Sequence, residues 1–236
     1  MHAAPVLKIL GLLLSILAVA MLIPMSFDLI SGNSDWNAFA AASLFTGFIG
    51  ICLWLANGKI NDNDLGLKEA FLLTNGAWAL IGLFGALPFY FSSLELSVVD
   101  SVFESTSGIT TTGSTILSDI EQASSGLLIW RALLQWLGGV GIIVMAIAVL
   151  PMLSVGGMQL FRTESFETAD KVIPRATQLA GGIFAVYTGL TILWTAMLAG
   201  AGMPSFDALA HAMTTLATGG YSTKTSSVGA FDSHLI

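Results

Sequence analysis

The chain has 236 residues, of which 55% are hydrophobic and only 10% charged, with a formal net charge of −7. A water-soluble domain carries about 25% charged residues, so a fold solvated on all sides is excluded. Cys52 is the single cysteine, which excludes a disulfide framework and a cysteine-based metal cluster, and no basic run offers a surface for nucleic acid.

The first element in chain order is an apolar stretch over 9–30, followed by a second over 38–56. Each matches the roughly 20 residues that a helix needs to cross a bilayer. The first is far longer than the roughly 7–15 apolar residues of a secretory signal, so it is read as a retained helix, with Pro24 as a kink near its outer end. Further spans are expected over 70–91, 127–153 and 179–201. Threading the five spans alternately puts Lys8, Lys59, Lys68, Arg162, Lys171 and Arg175 on one face, six of the eight basic residues. The positive-inside rule makes that face cytoplasmic, with the N-terminus inside. The mixed-charge stretch 161–175 then reads as a cytoplasmic connector.

The outer segment 92–126 holds Glu95, Asp100, Glu104, Asp119 and Glu121 without a basic residue. Such a vestibule concentrates cations. Within it, 97–107 is too apolar for a free loop and too short to cross. Ten helical residues rise about 15 Å, near half the hydrocarbon thickness. The segment 205–216 has the same character, and both read as re-entrant half-helices.

The two segments are copies of one pattern. Shifting by 107 positions carries Asp100 onto Asp207, Thr111 onto Thr218, Thr112 onto Gly219, Gly113 onto Gly220 and Ser114 onto Tyr221, without a gap. Each copy follows a long apolar helix, which is a strong architectural signal. A permeating cation exchanges its water shell for oxygens, and backbone carbonyls supply them. Glycine reaches the backbone conformations that such a turn of carbonyls demands, and threonine hydroxyls offer further oxygen. The dipole of each half-helix directs its negative end at the same place.

Once these residues are in view, the strings FESTSGITTTGSTIL (103–117), RALLQWLGGVGIIVMAIAVLPML (131–153) and TTLATGGYST (214–223) resemble the TrkH family of bacterial Trk potassium uptake systems. The resemblance covers nearly the whole chain. It implies an all-α integral membrane fold, with two N-terminal helices followed by helix–pore-loop–helix repeats like those of potassium channels, four in all. The units would be 1–58, the N-terminal helix pair; 59–153, a first repeat; and 154–236, a second repeat lacking its inner helix. On that pattern the chain is expected to be part of a protein about twice as long. The resemblance also implies potassium held mainly by backbone carbonyls at Thr111, Thr112, Gly113, Thr218, Gly219 and Gly220. Some sodium-preferring relatives carry serine at a filter glycine, so the two glycines favour potassium. It further implies a homodimer in the bacterial inner membrane, in contact with lipid and with a TrkA-like cytosolic nucleotide-binding subunit. Potassium is the transported ion, no covalent cofactor is implied, and the chain is not an enzyme.

Other residues carry competing readings. Arg131 either pairs with Glu104 or another vestibule acid, or snorkels to the interface. Gly138, Gly139 and Gly141 serve close helix packing or a gating hinge. His211, at the position equivalent to Glu104, is read as a packing or hydrogen-bonding residue, and Trp54, Trp78, Trp130, Trp136 and Trp194 as membrane aromatics, several of them interface anchors. Two other functional classes compete with transport: an intramembrane hydrolase using Ser105 or Ser107 with His211, and a non-conducting assembly module.

Overall fold

The structure is a computed structural model that describes residues 3–57, 66–153, 172–231 and 233. Among them every regular element is a helix. Five helical stretches are long and apolar enough to cross a membrane: Ala3–Ser31, Trp36–Ala56, Lys68–Phe91, Ser125–Ile143 and Ala180–Gly200. They coincide closely with the five expected spans. Lys59, Arg162 and Lys171, with most of the expected connector 161–175, lie outside the described residues.

The first span is two helices, α1 (Ala3–Ala20) and α2 (Leu22–Ser31), meeting at Met21. Pro24 explains the break. Its ring nitrogen has no hydrogen for the Ala20 carbonyl, and the ring crowds that oxygen. The third span repeats the device: α4 (Leu67–Gly85) passes into α5 (Leu87–Phe91) one residue before Pro88. Trp130 closes that junction by donating its Nε1–H to the Gly85 carbonyl at 3.0 Å.

Helix α3 (Trp36–Ala56) lies along α1, and glycine sets the distance between them. A Cβ on Gly50 would fall 2.8 Å from the Gly11 carbonyl oxygen, and one on Gly11 would fall 2.7 Å from the Gly50 carbonyl. Both obstacles are backbone, so neither can rotate away. A Gly50→Leu variant is therefore expected to lower stability by about 1–3 kcal/mol, the usual cost of overpacking. Thermal unfolding in detergent reads this directly.

The pair α1–α2 also reaches the rest of the chain through carboxylates. Asp28 is fully buried and accepts from the Gly126 N–H at 2.6 Å and the Ser124 hydroxyl at 3.0 Å. It thereby caps the start of α7 (Ser125–Leu153) from another element. Asp35 accepts from the N–H and the hydroxyl of Ser93, each at 2.9 Å. The core beneath these contacts gathers Leu14, Met21, Phe39, Phe89, Leu127, Trp130 and Leu134. Trp130 is thus a core residue whose indole meets Phe39 edge-on, not an interface anchor. Outward faces stay apolar, with Leu44 76% and Phe48 68% exposed, as expected of surfaces that meet lipid.

Two short helices stand apart from the spans: α6 (Val98–Ile109) and α9 (Ser205–Leu216), each of 12 residues. A helix of that length rises about 18 Å, too little to cross a bilayer. α6 begins at Ser97, whose hydroxyl accepts from the Asp100 N–H at 3.1 Å while donating to its carboxylate at 2.7 Å. Helix α8 (Val172–Gly200) leads into α9.

Candidate functional site

The segments that follow α6 and α9 have the same backbone. Thr111 and Thr218 take φ values of +56° and +57°, and Gly113 and Gly220 both take +78°. All four positions obey the shift of 107. The helix ends agree bond for bond. Thr111 N–H donates to the Gly108 carbonyl at 3.0 Å and Thr112 N–H to Ser107 at 3.0 Å; Thr218 donates to Thr215 at 2.9 Å and Gly219 to Thr214 at 2.9 Å. This pairing is the Schellman termination, whose left-handed position is usually glycine. Threonine there strains a β-branched residue, and such outliers persist only where the surroundings over-determine them.

The consequence is a division of polar groups. The N–H groups of Thr110 to Gly113 all turn back to the carboxyl end of α6, the last at 3.5 Å to Ser107. Ala217, Thr218 and Gly219 do the same on α9. The carbonyl oxygens of Thr111, Thr112, Gly113, Thr218, Gly219 and Gly220 accept no hydrogen bond within the described residues. Unpaired carbonyls at a helix carboxyl end present negative partial charge, and a cation is the chemical species that would meet it.

The two segments also touch. A Cβ on Gly113 would strike the Gly219 carbonyl oxygen, and a Cβ on Gly219 would strike the Gln135 side chain. Gly220, with the same φ, has no atom of the described residues within 4 Å of its Cβ position. Gly138 and Gly139 in α7 make room for these helix ends. A Cβ on the first would strike the Ile109 carbonyl, and one on the second would lie 3.2 Å from Ala217 Cα. Packing therefore accounts for both, while a Cβ on Gly141 would meet no atom of the described residues within 4 Å.

A buried polar brace lies behind the segments. Glu104, fully buried, is removed from the expected vestibule and pairs with Arg131 Nε at 2.8 Å. Of the two readings of Arg131, the ion pair is the one realised. Glu104 also accepts from the Thr115 hydroxyl at 2.8 Å and the Ile116 N–H at 3.1 Å. Arg131 Nη1 donates to the Ser222 carbonyl at 3.0 Å, and its guanidinium lies 4.1 Å from the Tyr221 ring centre. Tyr221 N–H donates to Gln135 Oε1 at 3.1 Å, and its hydroxyl shares a proton between the carbonyls of Glu104 and Ser114 at 3.0 and 3.1 Å. A Tyr221→Phe variant is expected to lose about 1 kcal/mol, seen as a lower midpoint in thermal unfolding.

In the second copy His211 stands where Glu104 stands in the first. Its Nε2 lies 3.0 Å from the Ser222 hydroxyl, the counterpart of the Glu104–Thr115 bond, and its Nδ1 lies 2.8 Å from the Asp207 carbonyl. Asp207 accepts from the Thr223 hydroxyl at 2.6 Å. The hydrolase pairing has no geometry to support it. Ser107 donates to the Ser114 carbonyl at 2.6 Å, the Ser105 hydroxyl has no hydrogen-bond partner among the described residues, and the His211 ring is engaged by Asp207 and Ser222 instead.

Of the vestibule acids, Glu95, Asp119 and Glu121 are exposed. Glu121 accepts from the N–H of Thr225 at 3.1 Å and from its hydroxyl, which holds the Glu121 carboxyl below its ordinary range. The roles of Asp28, Gln135 and Tyr221 are absent from the sequence reading. Asp28 carried a signal nonetheless, because an acid near the end of an apolar span is rare without a partner.

Comparison with known proteins fits this geometry. The family model described as TrkH, cation transport protein, matches residues 36–236. The chain is 43% identical to the Trk system potassium uptake protein TrkI of Halomonas elongata, over 97% of this chain and 46% of that protein. It is 41% identical to the Trk system potassium uptake protein TrkH of Escherichia coli, over 100% of this chain and 49% of the other. The crystal structure of the potassium transporter TrkH from Vibrio parahaemolyticus superposes with a TM-score of 0.89 at 34% identity, covering 100% of this chain and 47% of that one. The chain thus spans about half the length of the curated relatives it matches. With the family model covering most of its residues and these relatives all of one kind, the chain belongs to the TrkH family of cation transport proteins.

Proposed function

We propose that the chain contributes two walls of a potassium path, with Thr111, Thr112, Gly113, Thr218, Gly219 and Gly220 supplying mainly backbone carbonyls to the ion. The observation that carries this reading is the paired division of polar groups. In both copies the N–H groups are consumed by a half-helix, while the carbonyls stay free beside its negative end. The names of the relatives specify potassium uptake, and glycine at both filter positions agrees with that cation. The path combines these segments with equivalent ones, four in all around one axis, as helix–pore-loop–helix repeats. A dehydrated ion needs oxygens on every side.

The same reading places the protein in the bacterial inner membrane with the N-terminus inside. It forms a homodimer there, contacts lipid, and is regulated by a cytosolic nucleotide-binding subunit of the TrkA kind. The test is growth on limiting potassium in a strain deficient in uptake, with rubidium tracer entry as the direct readout. The full-length protein should restore both. Failure with the protein present in the membrane would overturn the transport assignment and leave the assembly-module reading.

A further inference from the structure

We propose that Arg131 is a positioning residue for ion discrimination, holding the two carbonyl segments at a fixed separation through one guanidinium. This deepens the potassium-path reading and rests on it. The case begins with what the guanidinium touches. Its Nε reaches Glu104 at 2.8 Å, and Glu104 holds the first segment just beyond Gly113 through the Thr115 hydroxyl and the Ile116 N–H. Its Nη1 holds the second segment directly, at the Ser222 carbonyl two residues beyond Gly220. Its flat face lies on Tyr221, whose hydroxyl reaches across to the Ser114 carbonyl of the first segment. A single cation therefore sets the position of both strands.

Stability alone gives a poor reason for this arrangement. Arg131 and Glu104 are 1% and 0% exposed, and burying two charges costs desolvation that their attraction does little more than offset. Apolar side chains of similar volume would pack at least as well there. What they could not do is aim hydrogen bonds at Ser222, Thr115 and Ile116. Arginine suits the task because its donors lie in a rigid planar fork, whereas lysine is a flexible point charge. Selectivity by carbonyl cages depends on how many oxygens face the ion and how firmly they are held.

The second copy carries a different group at the position equivalent to Glu104, where His211 lies 3.0 Å from the Ser222 hydroxyl, so the buried carboxylate is not repeated in both half-helices.

The test uses the full-length protein in uptake-deficient cells, measuring rubidium entry against sodium competition at matched membrane levels. In the double variant Glu104→Met/Arg131→Met the pair is replaced by apolar volume. Discrimination is expected to fall about tenfold, the order of one lost hydrogen bond to a charged group, while protein level holds and the thermal midpoint falls less than in Glu104→Ala, since no charge is left stranded. Unchanged discrimination in that variant overturns the proposal. If the double variant does not accumulate, Arg131→Lys decides. Weaker discrimination with normal protein level supports the brace, and wild-type discrimination overturns it. Absence of rubidium entry in the wild type is a separate outcome, since it sinks the potassium-path reading itself.

Discussion

A Gly113→Ala variant is expected to lose about a hundredfold in potassium uptake while still reaching the membrane. Two costs add at this position. The backbone sits at φ +78°, where a Cβ costs roughly 1–2 kcal/mol. The new methyl would also strike the Gly219 carbonyl oxygen, and forcing a rigid neighbour aside costs about 1–3 kcal/mol. The obstacle is itself one of the proposed ion ligands, so relief of the clash moves an oxygen away from the ion. Gly220→Ala carries the same backbone penalty, since its φ is also +78°, and a loss of at least about tenfold is expected there from the backbone alone. Tracer uptake by the two variants at equal membrane levels reads both losses, and unchanged uptake in Gly113→Ala would overturn the assignment.

How much of this was legible beforehand depended on the range over which each feature is determined. The spans were readable because hydropathy is local and a crossing length is fixed by the bilayer. The short helices at Val98–Ile109 and Ser205–Leu216 were readable for a similar reason, and the shift of 107 gave their register. The charges were harder. Glu104 looks like a vestibule acid in sequence, since it shares an outer segment with Glu95 and Asp119. Arg131, 27 positions away, is among its candidate partners in sequence, but the full burial of Glu104 depends on the helix face on which it lies, which no local pattern specifies. Tyr221 and Gln135 are hidden in sequence for the same reason, because they meet only when α7 packs against both short helices. Composition does not decide the place of Trp130. An aromatic in a membrane helix serves an interface or a core equally well until its neighbours are known.

The Glu104–Arg131 pair also predicts an asymmetry in stability. Glu104→Ala is expected to destabilise the protein by about 3–5 kcal/mol, the usual cost of stranding one member of a buried ion pair. The loss is not one contact. Arg131 stays 1% exposed with no countercharge, and the Thr115 hydroxyl and Ile116 N–H lose their acceptor at the same time. A guanidinium cannot shed its proton in a protein, so the region must admit water or open. Replacing both members by apolar volume, as in Glu104→Met/Arg131→Met, leaves no charge stranded and is expected to cost less than Glu104→Ala. Thermal unfolding of the two variants in detergent reads the difference. Equal losses would mean that the stranded guanidinium is hydrated, and that the brace is far less closed than its burial implies.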